Sequence, residues 1–194
     1  METIETIIAR RSIRKYKKEV PPKELIELII SLGLNAPTPK AYREPRRFYV
    51  VEGEKKNEMV HLLLEEVLVM NRRGINTSSA VLTCRLMLKA PIIVFCYRRN
   101  IESLPTNGIS KKEQEEDLLL VDIQSISASI QNMLLAATDM GLGSLWLGDV
   151  LLIDEKINEI LQTDEKLIAA VAFGYPDHIP KPIQRPDHQL VTWV

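Results

Sequence analysis

Residues 9–18 read ARRSIRKYKK and carry six positive charges, in a chain whose 25 Lys and Arg are balanced by 26 Asp and Glu. Three kinds of chemistry suit such a run: a helix end complementing its own dipole, a nucleic-acid patch, or a pocket for a phosphate. Composition alone does not rank them. The formal net charge of -1 leaves no global field for nucleic acid or an anionic membrane, so neither is an expected partner. Tyr16 is the only aromatic residue among these charges, a poor platform for stacked bases. The expected target is local and small.

The remaining reactive side chains form no recognisable set. Cys84 and Cys96 make no CxxC pair, and His61, His178 and His188 share no zinc motif, so no metal site is expected. This cysteine usage, with no apolar signal segment ahead of the first charges, points to a reduced cytoplasmic setting. Neither GxGxxG nor GxxxxGK[ST] occurs, which excludes the usual dinucleotide fingerprint and the P-loop.

The elements that must position the basic run follow from periodicity. Ile4, Ile7 and Ile8 recur at helical spacing and lead into Arg10, so a short amphipathic helix holds the run in place. Pro21 and Pro22 open a second helix, which stops before Pro37. Prolines 37, 39 and 45 make residues 36–47 an irregular loop, with Phe48–Val51 as a strand after it. Residues 54–70 and 77–89 read as helices, residues 91–97 as a buried strand, and residues 98–112 as a polar surface connection.

Leu118 to Met140 reads as the longest helix, apolar on almost every side, so it must be buried all round. Asp122, Gln124, Ser125, Ser127 and Asp139 interrupt it too often for a membrane span. Ser125, Ala128, Ser129, Ala136 and Ala137 are small enough for close helix packing, and a second subunit is expected to cover what one chain cannot. GLGSLWLGD, residues 141–149, reads as a glycine-flanked turn, residues 153–161 as a helix, residues 167–175 as a buried strand, and the terminal QLVTWV as a possible extra strand. Residues 1–194 are expected to form one α+β domain, a mixed central sheet flanked by helices, with the long buried helix at a dimer interface.

Four separated stretches carry a resemblance: RRSIRKY (10–16), APTPKAYREPRRF (36–48), SIQNMLLAATDMGLGSLWLG (129–148), and VAFGYP with PKPIQRP (171–186). In order and spacing the chain resembles the nitroreductase family of FMN-dependent oxidoreductases. The resemblance implies that Arg10, Arg11, Ser12 and Arg14 hold FMN, one arginine at the phosphate and Arg14 at the pyrimidine edge of the ring. Such a division suits the arginine fork, which matches phosphate oxygens, while a fixed cation beside the ring favours its anionic reduced form. Lys15, Lys17 and Lys18 are left to solvent. Arg185 and Lys181 correspond to a second phosphate-binding position, and the backbone of Trp146, Leu147 and Gly148 is placed against the ring near N5.

The loop departs from the family pattern APSxxNxQPWxF. Thr38 stands for serine, Tyr42 stands near the asparagine, Glu44 replaces glutamine and Arg46 replaces tryptophan. Pro37, Thr38 and Tyr42 remain the candidates for flavin contact, mainly toward the other subunit. Arg43, Arg46 and Arg47 either face an anionic substrate or nicotinamide phosphate, or simply line a solvated loop. The implied activity is ping-pong transfer of hydride from NADH or NADPH through flavin N5 to a small acceptor such as a nitroaromatic or quinone, in a homodimer with its FMN sites at the subunit interface. A specialised family role in dehalogenation or flavin fragmentation, and a non-catalytic flavin binder, are the alternatives.

Overall fold

Two continuous apolar runs form the centre of a four-stranded sheet in the computed structural model, which describes residues 2–38, 43–101, 108, 110–182 and 190–194. The strands are β1 (Arg46–Glu52), β2 (Ile92–Arg98), β3 (Gly143–Leu147) and β4 (Lys166–Gly174), in the order β1-β2-β4-β3. The helices are α1 (Thr3–Ala9), α2 (Lys23–Leu34), α3 (Gly53–Arg72), α4 (Ser78–Lys89), α5 (Lys111–Asp139) and α6 (Asp154–Leu161). A short 3-10 helix, Asp149–Ile153, precedes α6.

The expectation of a mixed sheet needs correction. All three strand pairings are antiparallel, and among the described residues the one parallel pairing is a single bridge between Ser12 and Ser144. The central strands are buried on both faces, which explains why their sequences read as continuous apolar runs. Side-chain alternation then divides the core. Ile93, Phe95, Tyr97, Leu145 and Ala172 pack with α3 and α4, while Ile92, Val94, Val171 and Phe173 pack with α2 and α5. Each fully buried side chain of this kind contributes about 1.5–3 kcal/mol.

Two close approaches fix the layers. A Cβ built on Gly33 of α2 would lie 2.5 Å from Met133 Cγ and 3.1 Å from Ser129 Oγ, so glycine is what lets α2 reach α5. Lys56 is buried and donates to the carbonyls of Met87, Leu88 and Ala90 at 3.2, 3.3 and 2.6 Å, closing the end of α4 just before β2 begins. Burial lowers the pKa of this ammonium.

Three element boundaries differ from the sequence reading. Helix α5 begins seven residues early, at Lys111, because Ser110 and Glu113 form a reciprocal capping box, with Glu113 N donating to Ser110 Oγ at 3.3 Å and Ser110 N donating to Glu113 Oε2 at 3.0 Å. The supposed turn at 141–149 contains strand β3, paired residue by residue with β4. Gly141 does take the left-handed conformation expected after a helix, with φ 77°. Leu190–Val194 form no strand and are exposed. Nor is α5 buried all round within one chain: 39% of its most apolar window is covered. By length and composition alone it also meets the requirements of a membrane-crossing helix, but α2 and the sheet pack on one face of it.

Candidate functional site

The basic run leaves α1 at Arg10 and continues extended along the free edge of β3. Ile13 N donates to Ser144 O at 2.9 Å, and farther on Lys17 N donates to Tyr175 O at 2.9 Å and Asp177 N to Lys15 O at 3.0 Å. The segment is thus pinned to β3 at one end and to the stretch after β4 at the other. Its anchors are Ile13, 4% exposed, and Tyr16, whose hydroxyl donates to Ile13 O at 2.8 Å. Burial pushes the Tyr16 phenol far above its usual range, with Arg14 opposing, so it stays a donor. Both anchors rest on glycine. A Cβ at Gly143 would lie 2.8 Å from Ile13 Cγ1, and one at Gly174 would lie 2.8 Å from Tyr16 Cδ1.

With Ile13 turned inward, the alternation of an extended chain turns Ser12 and Arg14 outward. They face an open cleft of about 240 Å³ lined by Ile7, Arg10, Arg11, Ser12, Arg14, Pro180 and Lys181. Among the described residues no carboxylate lines it. The Arg11 guanidinium is partly committed: Nη1 donates to Ile8 O at 2.6 Å and Arg10 O at 2.7 Å, closing the end of α1, while its buried Nε has no partner. Arg14 Nη1 reaches Ser12 O at 3.4 Å. Among the described residues neither Arg10, Arg14 nor Lys181 has an acidic side chain within ion-pair distance. Four cations and one hydroxyl, with no counter-charge among the described residues, suit a phosphate, and in this respect the residues present fit FMN.

Sequence reasoning named Arg10, Arg11, Ser12, Arg14 and Lys181, and the fold brings all five together. It missed Ile7 and Pro180, the apolar rim, although Ile7 lies three residues before Arg10 on a helical pattern. Pro37 is exposed and Thr38 half-buried, and neither lines this cleft. Tyr42 and Arg185 lie outside the described residues. Trp146, Leu147 and Gly148 do not line the cleft either. Trp146 is 38% exposed at the end of β3, whereas the Leu147 side chain packs in the core, leaving its backbone as the part a ligand could meet. Gly148 has an ordinary backbone, φ -86°, with open space where a Cβ would stand.

The loop arginines fit neither expectation fully. Arg43 Nη1 pairs with Asp122 Oδ1, and Arg98 Nε lies 2.7 Å from Asp122 Oδ2. Arg46 holds Glu44 through two bonds, Nε to Oε1 at 2.6 Å and Nη2 to Oε2 at 2.7 Å, and Nη1 donates to Ala36 O at 3.1 Å. Arg47 Nε lies 3.2 Å from Glu165 Oε2, an ion pair without hydrogen-bond geometry. Arg43 and Arg46 are buried, so they are neither solvated nor offered to a substrate. Burial would raise the Glu44 carboxyl, but hydrogen bonds from Arg46 and the charges of Arg46 and Arg99 outweigh it and hold the pKa below its usual value.

The nitroreductase family model matches residues 7–175, a span that includes the end of α1, the basic run and the whole sheet. The chain belongs to the nitroreductase family. Among its relatives in that family, a Vibrio harveyi protein named NADPH-flavin oxidoreductase is 28% identical over 194 residues, covering 97% of this chain and 72% of that one. A Bacillus subtilis protein named FMN reductase (NADPH) is 26% identical over 183 residues, covering 91% and 67%. The nitroreductase fold is also seen in the crystal structure of a BluB-like flavoprotein from Clostridium difficile 630, with a TM-score of 0.78 at 23% identity over 100% of this chain and 99% of that one.

Proposed function

We propose that this nitroreductase-family protein is an FMN-dependent NAD(P)H oxidoreductase whose basic cleft holds the phosphate of the cofactor. The observation that carries the reading is the set of cations around the cleft, of which Arg10, Arg14 and Lys181 have no acidic partner among the described residues, while Arg43 and Arg46 have theirs. Relatives named for NADPH-flavin and FMN reductase activity support the class. When bound, FMN supplies two-electron transfer from NADH or NADPH to a small acceptor such as a nitroaromatic or quinone. Arg10 and Ser12 then bind the phosphate, Arg14 sets the positive field beside the ring, and Lys181, with Arg185 four residues on, closes the anion from the other side. The backbone at Trp146, Leu147 and Gly148 orients the ring without a titrating side chain.

The site is completed in a homodimer. Pro37, Thr38 and Tyr42 serve the cofactor of the second subunit, consistent with the absence of Pro37 and Thr38 from the cleft of their own chain. Ile4, Ile7 and Ile8 on α1 are 72%, 53% and 66% exposed, and much of α5 is uncovered, an apolar surface suited to a subunit interface. Residues 1–194 act as one domain. The buried free thiols Cys84 and Cys96 are compatible with a cytoplasmic setting.

The test is spectroscopic. Purified protein loaded with FMN should bleach anaerobically on addition of NADPH or NADH and recover its colour with a quinone or nitroaromatic, and light scattering should give the mass of a dimer. Bound flavin that neither nicotinamide bleaches would leave only a flavin binder, and failure to bind FMN would overturn the reading altogether.

A further inference from the structure

Residues 35–38, after α2, and residues 43–45, before β1, belong to no helix or strand, yet both stretches are tied down. On one side Ala36 N donates to Gly33 O at 3.0 Å, and Ala36 O accepts from Arg46. On the other, Arg99 N donates to Pro45 O at 2.8 Å and Arg99 Nη1 to Glu44 O at 3.2 Å. Among the described residues the remaining tie is Arg43. It reaches across to Asp122 of α5, which is fully buried and also takes Arg98 at the end of β2. One carboxylate therefore joins the loop, a helix and the sheet.

A buried pair of this kind adds little net stability, because desolvation offsets the attraction, but it holds its partners in one geometry. Arg43 fits that role poorly as mere packing: its Nε and Nη2 are buried without partners, a cost an apolar residue would avoid. We propose that Asp122 is a positioning residue, holding Arg43 and, together with the Arg46 bond to Ala36 O, the stretches 36–38 and 43–46, so that Pro37 and Thr38 are presented to the cofactor. The functional half of this inference rests on the flavin reading above. The positional half does not.

The deciding variant replaces the whole ionic cluster with apolar side chains, Arg43→Met, Arg98→Met and Asp122→Leu together, so that no buried charge is left unpaired. Its thermal midpoint should stay within a few degrees of wild type or rise. Hydrogen exchange on the cofactor-free protein should then show faster exchange at residues 36–38 and 43–46, with α5 and β2 still protected. FMN should bind roughly tenfold more weakly or worse, the scale expected when contact residues are misplaced. Unchanged exchange in the loop would overturn the positional claim whether or not the protein binds flavin. Faster loop exchange with wild-type FMN affinity would overturn the functional one. If the triple variant does not fold, Arg43→Lys, which keeps the charge but loses the planar fork, should show the same two changes in smaller measure, and wild-type behaviour in it would overturn the proposal.

Discussion

Arg10 and Arg14 face an open cleft with no carboxylate beside them among the described residues, whereas Arg43 and Arg46, from a stretch nearly as basic, lie buried with their guanidinium groups on Asp122 and Glu44. The difference lies in what surrounds each run. Residues 10–16 form one rung at the edge of β3 and then run beside residues 175–177, after β4, and among the described residues Arg10 and Arg14 meet no ion-pair partner there. Residues 43–47 enter β1 beside the end of β2, over α5, where Asp122 arrives from 79 residues away. Local charge density thus says little about where a charge ends up. A cation with a built-in counter-ion is scaffold, and one without it is available to a ligand.

The sharpest way to break this contrast is Asp122→Ala. It strands two arginines and should cost about 3–5 kcal/mol, lowering the melting temperature by roughly 10 °C. A shift of less than about 2 °C in thermal unfolding would mean that the loop cations are not internally held. Next in size is Gly143→Ala, whose new methyl would lie 2.8 Å from Ile13. It should destabilise by about 1–3 kcal/mol and weaken FMN binding as the basic run is pushed off β3. At Gly148, where the space is open, alanine should leave the melting temperature within a degree or so.

Acid separates the regions more gently. The Glu44 pKa is lower folded than unfolded, so its contribution is present above the unfolded carboxylate pKa and is lost as pH falls through the lower folded value. Hydrogen exchange at residues 43–46 should rise over that acidic interval before α5 loosens, and simultaneous loss would contradict a local clamp. Smallest of all, Lys17→Ala should change neither FMN affinity nor melting temperature measurably, since Lys17 is exposed and outside the cleft.

Much of this was legible in the chain itself. The apolar runs at 91–97 and 167–175 announced the buried central strands, and the periodicity of 54–70 and 77–89 announced their covering helices. Strand β3 was hidden because its five residues are flanked by glycines and because pairing with β4, a long-range event, defines it. The early start of α5 had a signal, Ser110 with Glu113, that its polar surroundings obscured. At the site, charge marked residues 9–18 as an anion site in need of a choice and the family resemblance named Arg10, Arg11, Ser12 and Arg14, while the Arg43–Asp122 pair carried no local signal, because its partners meet only through the tertiary fold.

The central claim is that the Arg10 cleft holds a phosphate, and comparing FMN with riboflavin tests it most directly. Titrating wild type and Arg10→Ala with both flavins by fluorescence quenching should show wild type preferring FMN by roughly 10–100-fold, the worth of a charge-assisted hydrogen bond, with that preference largely gone in the variant and riboflavin affinity nearly unchanged. An equal preference for FMN in both proteins would contradict the assignment.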